Sequence, residues 1–151
     1  MKITIPKGVP FSLTVAVSGG REYNNVILVE QILDELHKQR TIKLLIEGAC
    51  PHKSRRPDVI DGGLDEIARR WAKSREVNSL SVPPKSRRIP WPGCGPARNR
   101  EMAHFQPQVW ILFPGDNGTQ SAREIAMEFR ITRLEITEDA YSWQEPKAGA
   151  R

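Results

Sequence analysis

At 151 residues, with 38% hydrophobic and 27% charged side chains, the chain has the size and composition of one globular domain, which excludes a fibrous repeat and wholesale disorder. No apolar run approaches the roughly 20 residues that span a bilayer. The start, Met1-Lys2-Ile3-Thr4-Ile5-Pro6, has no signal-peptide core, so a cytoplasmic protein without a membrane partner is expected. The net charge of +5 is uneven: residues 51–100 hold 12 Lys/Arg against 5 Asp/Glu, a field that attracts phosphate on small molecules or on nucleic acid.

In chain order, residues 1–11 form an extension with a candidate edge strand over Lys2 to Ile5. Leu13 to Val17 predicts a short buried strand stopped by Ser18-Gly19-Gly20. Val29, Ile32, Leu33 and Leu36 then recur at i, i+3, i+4 and i+7, one face of a helix. Ile42 to Glu47 predicts a second strand, and after the polar, basic segment 50–61 the helical spacing returns in Leu64, Ile67, Ala68 and Trp71. Ser79 to Val82 is a weaker third strand, followed by a Pro- and Gly-rich loop and a short helix from Ala97 to His104. Val109 to Phe113 is the most hydrophobic strand and leads through Pro114 to Thr119 into a helix with Ala122, Ile125, Ala126 and Phe129 on one face. Arg133 to Thr137 predicts the last strand, and residues 138–151 read as a polar tail outside the core.

Strands that are continuously apolar and alternate with helices predict an α/β fold: a Rossmann-like doubly wound parallel sheet of about five strands, order 3-2-1-4-5, with helices on both faces. That domain covers residues 12–137, and 50–61 is an insertion in it. In such a sheet ligands sit beyond the carboxyl ends of the strands where strand order reverses. Ser18, Gly19, Gly20 and Arg21 should therefore face Pro114, Gly115, Asp116, Asn117, Gly118 and Thr119 across the crevice.

The second loop has a physical reason to hold phosphate. Gly115 and Gly118 let backbone approach closely, and Gly118, Thr119 and Gln120 would present N–H groups at a helix start, with the Thr119 hydroxyl as a further donor. A turn with Thr119 as a plain helix cap is the competing reading. Asp116 opposes an anion unless it turns outward. Arg98, Asn99 and Arg100 open the third helix, where Arg98 and Met102 share a face and Arg100 points elsewhere; a solvated basic face is the simpler reading. Asp65 suits the first turn of a helix. Cys50, Cys94, His52 and His104 lack metal-ligand spacing, so neither a metal nor a cofactor is expected.

Taken together, Val17-Ser18-Gly19-Gly20-Arg21, Gly48-Ala49-Cys50-Pro51, Gly63-Leu64-Asp65 with Ala68 and Trp71-Ala72, Gly95 to Met102 and Pro114 to Thr119 resemble an uncharacterised branch of the SLOG superfamily. That superfamily joins the Smf/DprA DNA-processing proteins to the LOG phosphoribohydrolases. The resemblance spans roughly residues 12–137. It implies a nucleotide-type ligand at the strand ends, a bacterial, phage or mobile-element setting, and site positions Gly19, Arg21, Gly48, Asp65, Arg98, Asn99, Gly115, Gly118 and Thr119. LOG enzymes carry Pro-Gly-Gly-x-Gly-Thr and, two residues on, a catalytic glutamate. This chain has Asp116 for the third loop residue and Ala122 at the glutamate position, with Glu124 about 200° around the helix.

Three functions follow as expectations. The first is binding or sensing of a nucleotide or nucleotide-derived phosphorylated ligand, through Ser18, Gly19, Gly20, Arg21, Gly48, Asp65, Arg98, Asn99, Pro114, Gly115, Gly118 and Thr119. The second is hydrolysis of a nucleotide's N-glycosidic or phosphate bond, with Glu47, Asp65, Glu101 or Glu124 as acid or base. The third is nucleic-acid binding through Lys53, Arg55, Arg56, Lys85, Arg87 and Arg88, although Trp71 and Trp91 are the only aromatics nearby for base stacking. A protein partner for the insertion and a homo-oligomer are further options that the composition leaves open.

Overall fold

The structure, a computed structural model, describes residues 1–147. Its elements in chain order are β1 (Ser12–Ser18), α1 (Val26–Gln39), β2 (Thr41–Glu47), α2 (Gly63–Ser74), β3 (Asn78–Ser81), α3 (Cys94–His104), β4 (Val109–Leu112), α4 (Asn117–Glu128), β5 (Thr132–Ile136) and β6 (Tyr141–Gln144). They build a six-stranded sheet of order β3-β2-β1-β4-β5-β6, parallel except for antiparallel β6. This is the expected Rossmann-like doubly wound order with one strand added at its edge. No described helix is long and apolar enough to cross a membrane.

The strands are apolar throughout because both faces of the sheet are covered. Along β4 and just past it, Val109, Ile111 and Phe113 enter one core while Trp110 and Leu112 enter the other. On the first face Leu28, Val29, Ile32, Leu33 and Leu36 of α1 pack with Leu64, Ile67, Ala68 and Trp71 of α2. On the second, Met102 and Ala103 of α3 pack with Ala122, Ile125 and Ala126 of α4. Each large aliphatic side chain so removed from water contributes about 1.5–3 kcal/mol, which is why the helix stripes align with the sheet.

Three segments depart from expectation. Lys2 to Ile5 forms no strand, yet Ile3, Ile5 and Val9 are buried, and the Thr4 amide donates to the Tyr141 hydroxyl at 2.9 Å. Residues 138–147 are no loose tail: Tyr141 to Gln144 pairs with β5, and Tyr141 and Trp143 pack on the core. The remainder of the expected tail, residues 148–151, lies outside the described residues. The insertion 50–61 also reaches the core, through Ile60. Too few apolar residues lie in each segment to set a period.

Candidate functional site

The site lies where the strand order reverses, between β1 and β4. The Phe113 amide donates to the Ser18 carbonyl at 2.8 Å and the Gly20 amide to the Pro114 carbonyl at 2.9 Å, so the loops after these strands are joined by backbone. The Ser18 hydroxyl is held from below by the Trp110 indole N–H at 3.0 Å. The start of α2 seats on the first loop. Gly63 has φ +65°, and a side chain there would collide with the Gly20 and Arg21 carbonyls, so only glycine fits.

Beyond the strand ends opens a cavity of about 670 Å3, a size suited to a small-molecule ligand. Ser18, Gly19, Arg21, Gly48, Cys50, Lys53, Asp65, Arg98, Asn99, Asp116, Gly118 and Ser121 line it, among others. Of the expected ligand-binding residues, Gly20, Pro114, Gly115 and Thr119 stand behind this lining.

The loop from Pro114 to Thr119 is built differently from expectation in two respects. Asp116 is the residue before α4 and makes no capping hydrogen bond, while the Gln120 amide is used within the helix, donating to the Asp116 carbonyl at 2.9 Å. The amides at the open end are therefore those of Asn117, Gly118 and Thr119, which have no acceptor within the helix. Thr119 is 3% exposed, and its hydroxyl packs against Gly115 with no hydrogen-bond partner. It lies under the loop and neither caps the helix nor faces the cavity. Gly115 is required by that close packing. At Gly118 a Cβ would meet nothing within 4 Å, so the space above the helix start is open. Asp116 is exposed.

Opposite stands a charged floor. Arg98 donates to the Gly48 carbonyl and, at 2.9 Å, to Asn99 Oδ1; Asn99 Nδ2 reaches Ser121 Oγ at 3.3 Å. Arg98 and Asn99 are thus turned inward, and the solvated basic face is realised only by Arg100, paired with Glu128. Asp65 accepts from the Cys50 amide at 3.2 Å, and a Cβ at Gly48 would lie 3.0 Å from its Oδ2 and against the Arg98 guanidinium. Burial, followed by the charge of Glu47, pushes the Asp65 carboxyl up to about 6 against the opposing pull of Arg98. Burial and Asp65 also push the Cys50 thiol up, which leaves it a poor nucleophile.

Glu47 is fully buried beneath this floor. It accepts from the Ala49 amide at 2.6 Å and the Ser81 hydroxyl and pairs with Arg69 at 2.9 Å. It holds the turn in which Ala49 adopts φ 62°, a conformation disfavoured for a residue with a Cβ. Of the four acids considered for catalysis, Asp65 alone lines the cavity. Glu101 pairs with Lys85, Glu124 with Gln120, and Ala122 is buried in the second core, so the position of the LOG glutamate faces away from the cavity.

The insertion carries a network that spacing did not reveal. His52 Nδ1 lies 2.8 Å from Glu66 Oε2 and 3.2 Å from Asp61 Oδ1, and these donors lie within 4.8 Å of one another. The Arg70 guanidinium sits 2.6 Å from the same Glu66 oxygen, so that carboxylate already has a cation beside it. Of the basic residues considered for nucleic acid, Lys53 lines the cavity, Arg56 pairs with Asp58 and Lys85 with Glu101. Arg87 and Arg88 border a separate hollow next to it, and Arg55 is exposed. Sequence reasoning named Trp91 only as an aromatic near the basic segment and not among the ligand-binding residues; it lines the cavity, with the Arg21 guanidinium 4.8 Å from its ring centroid.

No protein-family model matches the chain, and no curated protein matches it. Among solved structures it is similar to the crystal structure of SeMet PaaA, with 15% sequence identity and a TM-score of 0.48 over 91% of this chain. The match covers 46% of the PaaA chain, so this chain spans less than half of its length.

Proposed function

We propose that the chain binds a nucleotide or nucleotide-derived phosphorylated ligand in this cavity, as a SLOG-like binding or sensing domain. The observation that carries the reading is the uncapped start of α4, whose open amides border a cavity that also holds Arg21, Lys53 and Arg98. Amides at a helix start carry partial positive charge and point at the bound anion. Arg21, on the facing loop, has no ion-pair partner among the described residues and is free to take a phosphate in bidentate fashion. The Asp116 side chain is exposed and does not cap the helix, so it leaves the amides of the helix start open to an anion. A thermal-shift and calorimetric panel of nucleoside monophosphates, cyclic dinucleotides and ADP-ribose tests the reading. Saturating ligand should raise the melting temperature. If no phosphorylated compound stabilises the protein, the reading falls.

A second reading, hydrolysis of the bound nucleotide, draws on Asp65 alone. A carboxyl with its pKa near 6 at a cavity floor is suited to donate or accept a proton. Product formation from the same panel that disappears in Asp65→Asn, with binding retained, would support turnover. Binding without product in the unmodified protein would leave the first reading alone standing.

A further inference from the structure

We propose that Trp91 is a stacking platform for the ligand's aromatic base, so that the cavity takes an intact nucleotide in preference to a sugar phosphate or free phosphate; this rests on the phosphate reading above. Trp91 is 53% exposed, whereas Trp71 and Trp110 are buried. Leaving most of an indole in water forfeits the burial that stabilises the other two, and no packing need of the core explains it. It is the aromatic residue among those lining the cavity. Its ring edge rests on Gly95 at the start of α3, where a Cβ would lie 3.4 Å from Cζ3, so the indole has a firm support on one side.

The indole also lies within reach of the phosphate loop. Gly20 is bonded to Pro114 by its amide, and the next residue, Arg21, extends from that junction to place its guanidinium over the Trp91 ring. One arginine side chain thus spans from the loop to the indole, a span comparable with that from a 5′-phosphate through ribose to the base. The guanidinium is cationic and lies over the ring face on which a base would stack. When the ligand enters, its phosphate offers Arg21 a bidentate partner beside α4, and the vacated ring face receives the base. Stacking on an indole is tolerant of base identity because every base has a π-face. The platform therefore selects for a base without selecting which one.

The test compares AMP, CMP, ribose 5-phosphate and inorganic phosphate by calorimetry on the full chain and on Trp91→Leu and Trp91→Phe. The expected result is that both nucleotides bind about tenfold or more tightly than ribose 5-phosphate. Trp91→Leu should erase that advantage, so that AMP and ribose 5-phosphate bind this variant equally, while Trp91→Phe should keep most of it. Trp91 is on the surface, so circular dichroism should show the variants folded. Equal affinity of the unmodified protein for AMP and ribose 5-phosphate overturns the stacking role and leaves the phosphate reading intact, as does an AMP affinity unaffected by Trp91→Leu. Failure of all four compounds to bind overturns both.

Discussion

Arg98 on α3 donates a hydrogen bond to the carbonyl of Gly48 at the end of β2, closing the floor of the cavity between residues that lie 50 positions apart in the chain. The contact depends on the missing side chain at Gly48, because a Cβ there would press on both the guanidinium and Asp65 Oδ2. It ties α3 to the turn after β2, where the Cys50 amide in turn donates to Asp65 at the start of α2.

Gly48→Ala should therefore displace Arg98, lowering stability by about 1–3 kcal/mol as a buried polar contact is broken and overpacked. Gly118→Ala, where a Cβ meets nothing, should leave stability unchanged or raise it by up to about 1 kcal/mol, since alanine suits a helix better. Urea unfolding of the two variants decides the matter. Equal losses would mean that the floor is not closely packed.

Asp65 makes stability depend on pH. Burial pushes its carboxyl up to about 6 in the folded state from the ordinary 3.8, so the folded state binds the extra proton between these values. The sign follows: stability is highest below about pH 4 with respect to this group and falls as pH rises to 6. The shift corresponds to about 3 kcal/mol at most, reduced by partial exposure. Asp65→Asn should melt at a higher temperature than the unmodified protein at pH 7.5, and the two should converge toward pH 4. A variant less stable at pH 7.5 would show that the pull of Arg98 outweighs burial.

Tyr23 offers an alkaline counterpart. Its hydroxyl is buried without a partner, and burial, followed by the charge of Glu138, pushes it up to about 12. The folded state keeps the proton that the unfolded chain gives up near 10, so this contribution is lost as pH rises from 10 to 12. Tyr23→Phe removes an unsatisfied polar group. It should match or exceed the unmodified protein in stability at pH 8, and its advantage should grow above pH 10. Denaturant midpoints at the two pH values test this.

Glu66 fastens the insertion. One carboxylate oxygen accepts from the Asp61 and Gly62 amides at 3.0 and 2.6 Å, and the other faces His52 and Arg70. Glu66→Ala leaves those groups without their anion and should cost about 3 kcal/mol. It should also speed tryptic cleavage after Lys53 and Arg55 relative to cleavage elsewhere. Glu66→Gln, which keeps an acceptor for the amides, should lie between. Cleavage at an unchanged rate in Glu66→Ala would show that Glu66 does not fasten the insertion.

Much of the fold was legible because local pattern and global burial coincide. The period of 3.6 in Val29, Ile32, Leu33 and Leu36 marks a helix with one buried stripe, and the unbroken run Val109 to Phe113 marks a strand covered on both faces. Crossover handedness restricted the chain to a doubly wound sheet, and the pairing of the Ser18 and Pro114 loops followed from the order 3-2-1-4-5 expected for it. β6 was not legible, since Tyr141 and Trp143 alternate over only four residues and are held by a partner strand.

What the chain determined by itself, then, is the order of elements and which two loops meet, because period, glycine position and handedness act over short stretches. What only the tertiary structure decided is the chemistry of the floor: that Thr119 turns under its loop, that Arg98 turns in to Gly48, and that of Glu47, Asp65, Glu101 and Glu124 Asp65 alone reaches the cavity. Side-chain direction and desolvation are set by neighbours brought together from far along the chain. A residue's type and spacing record neither.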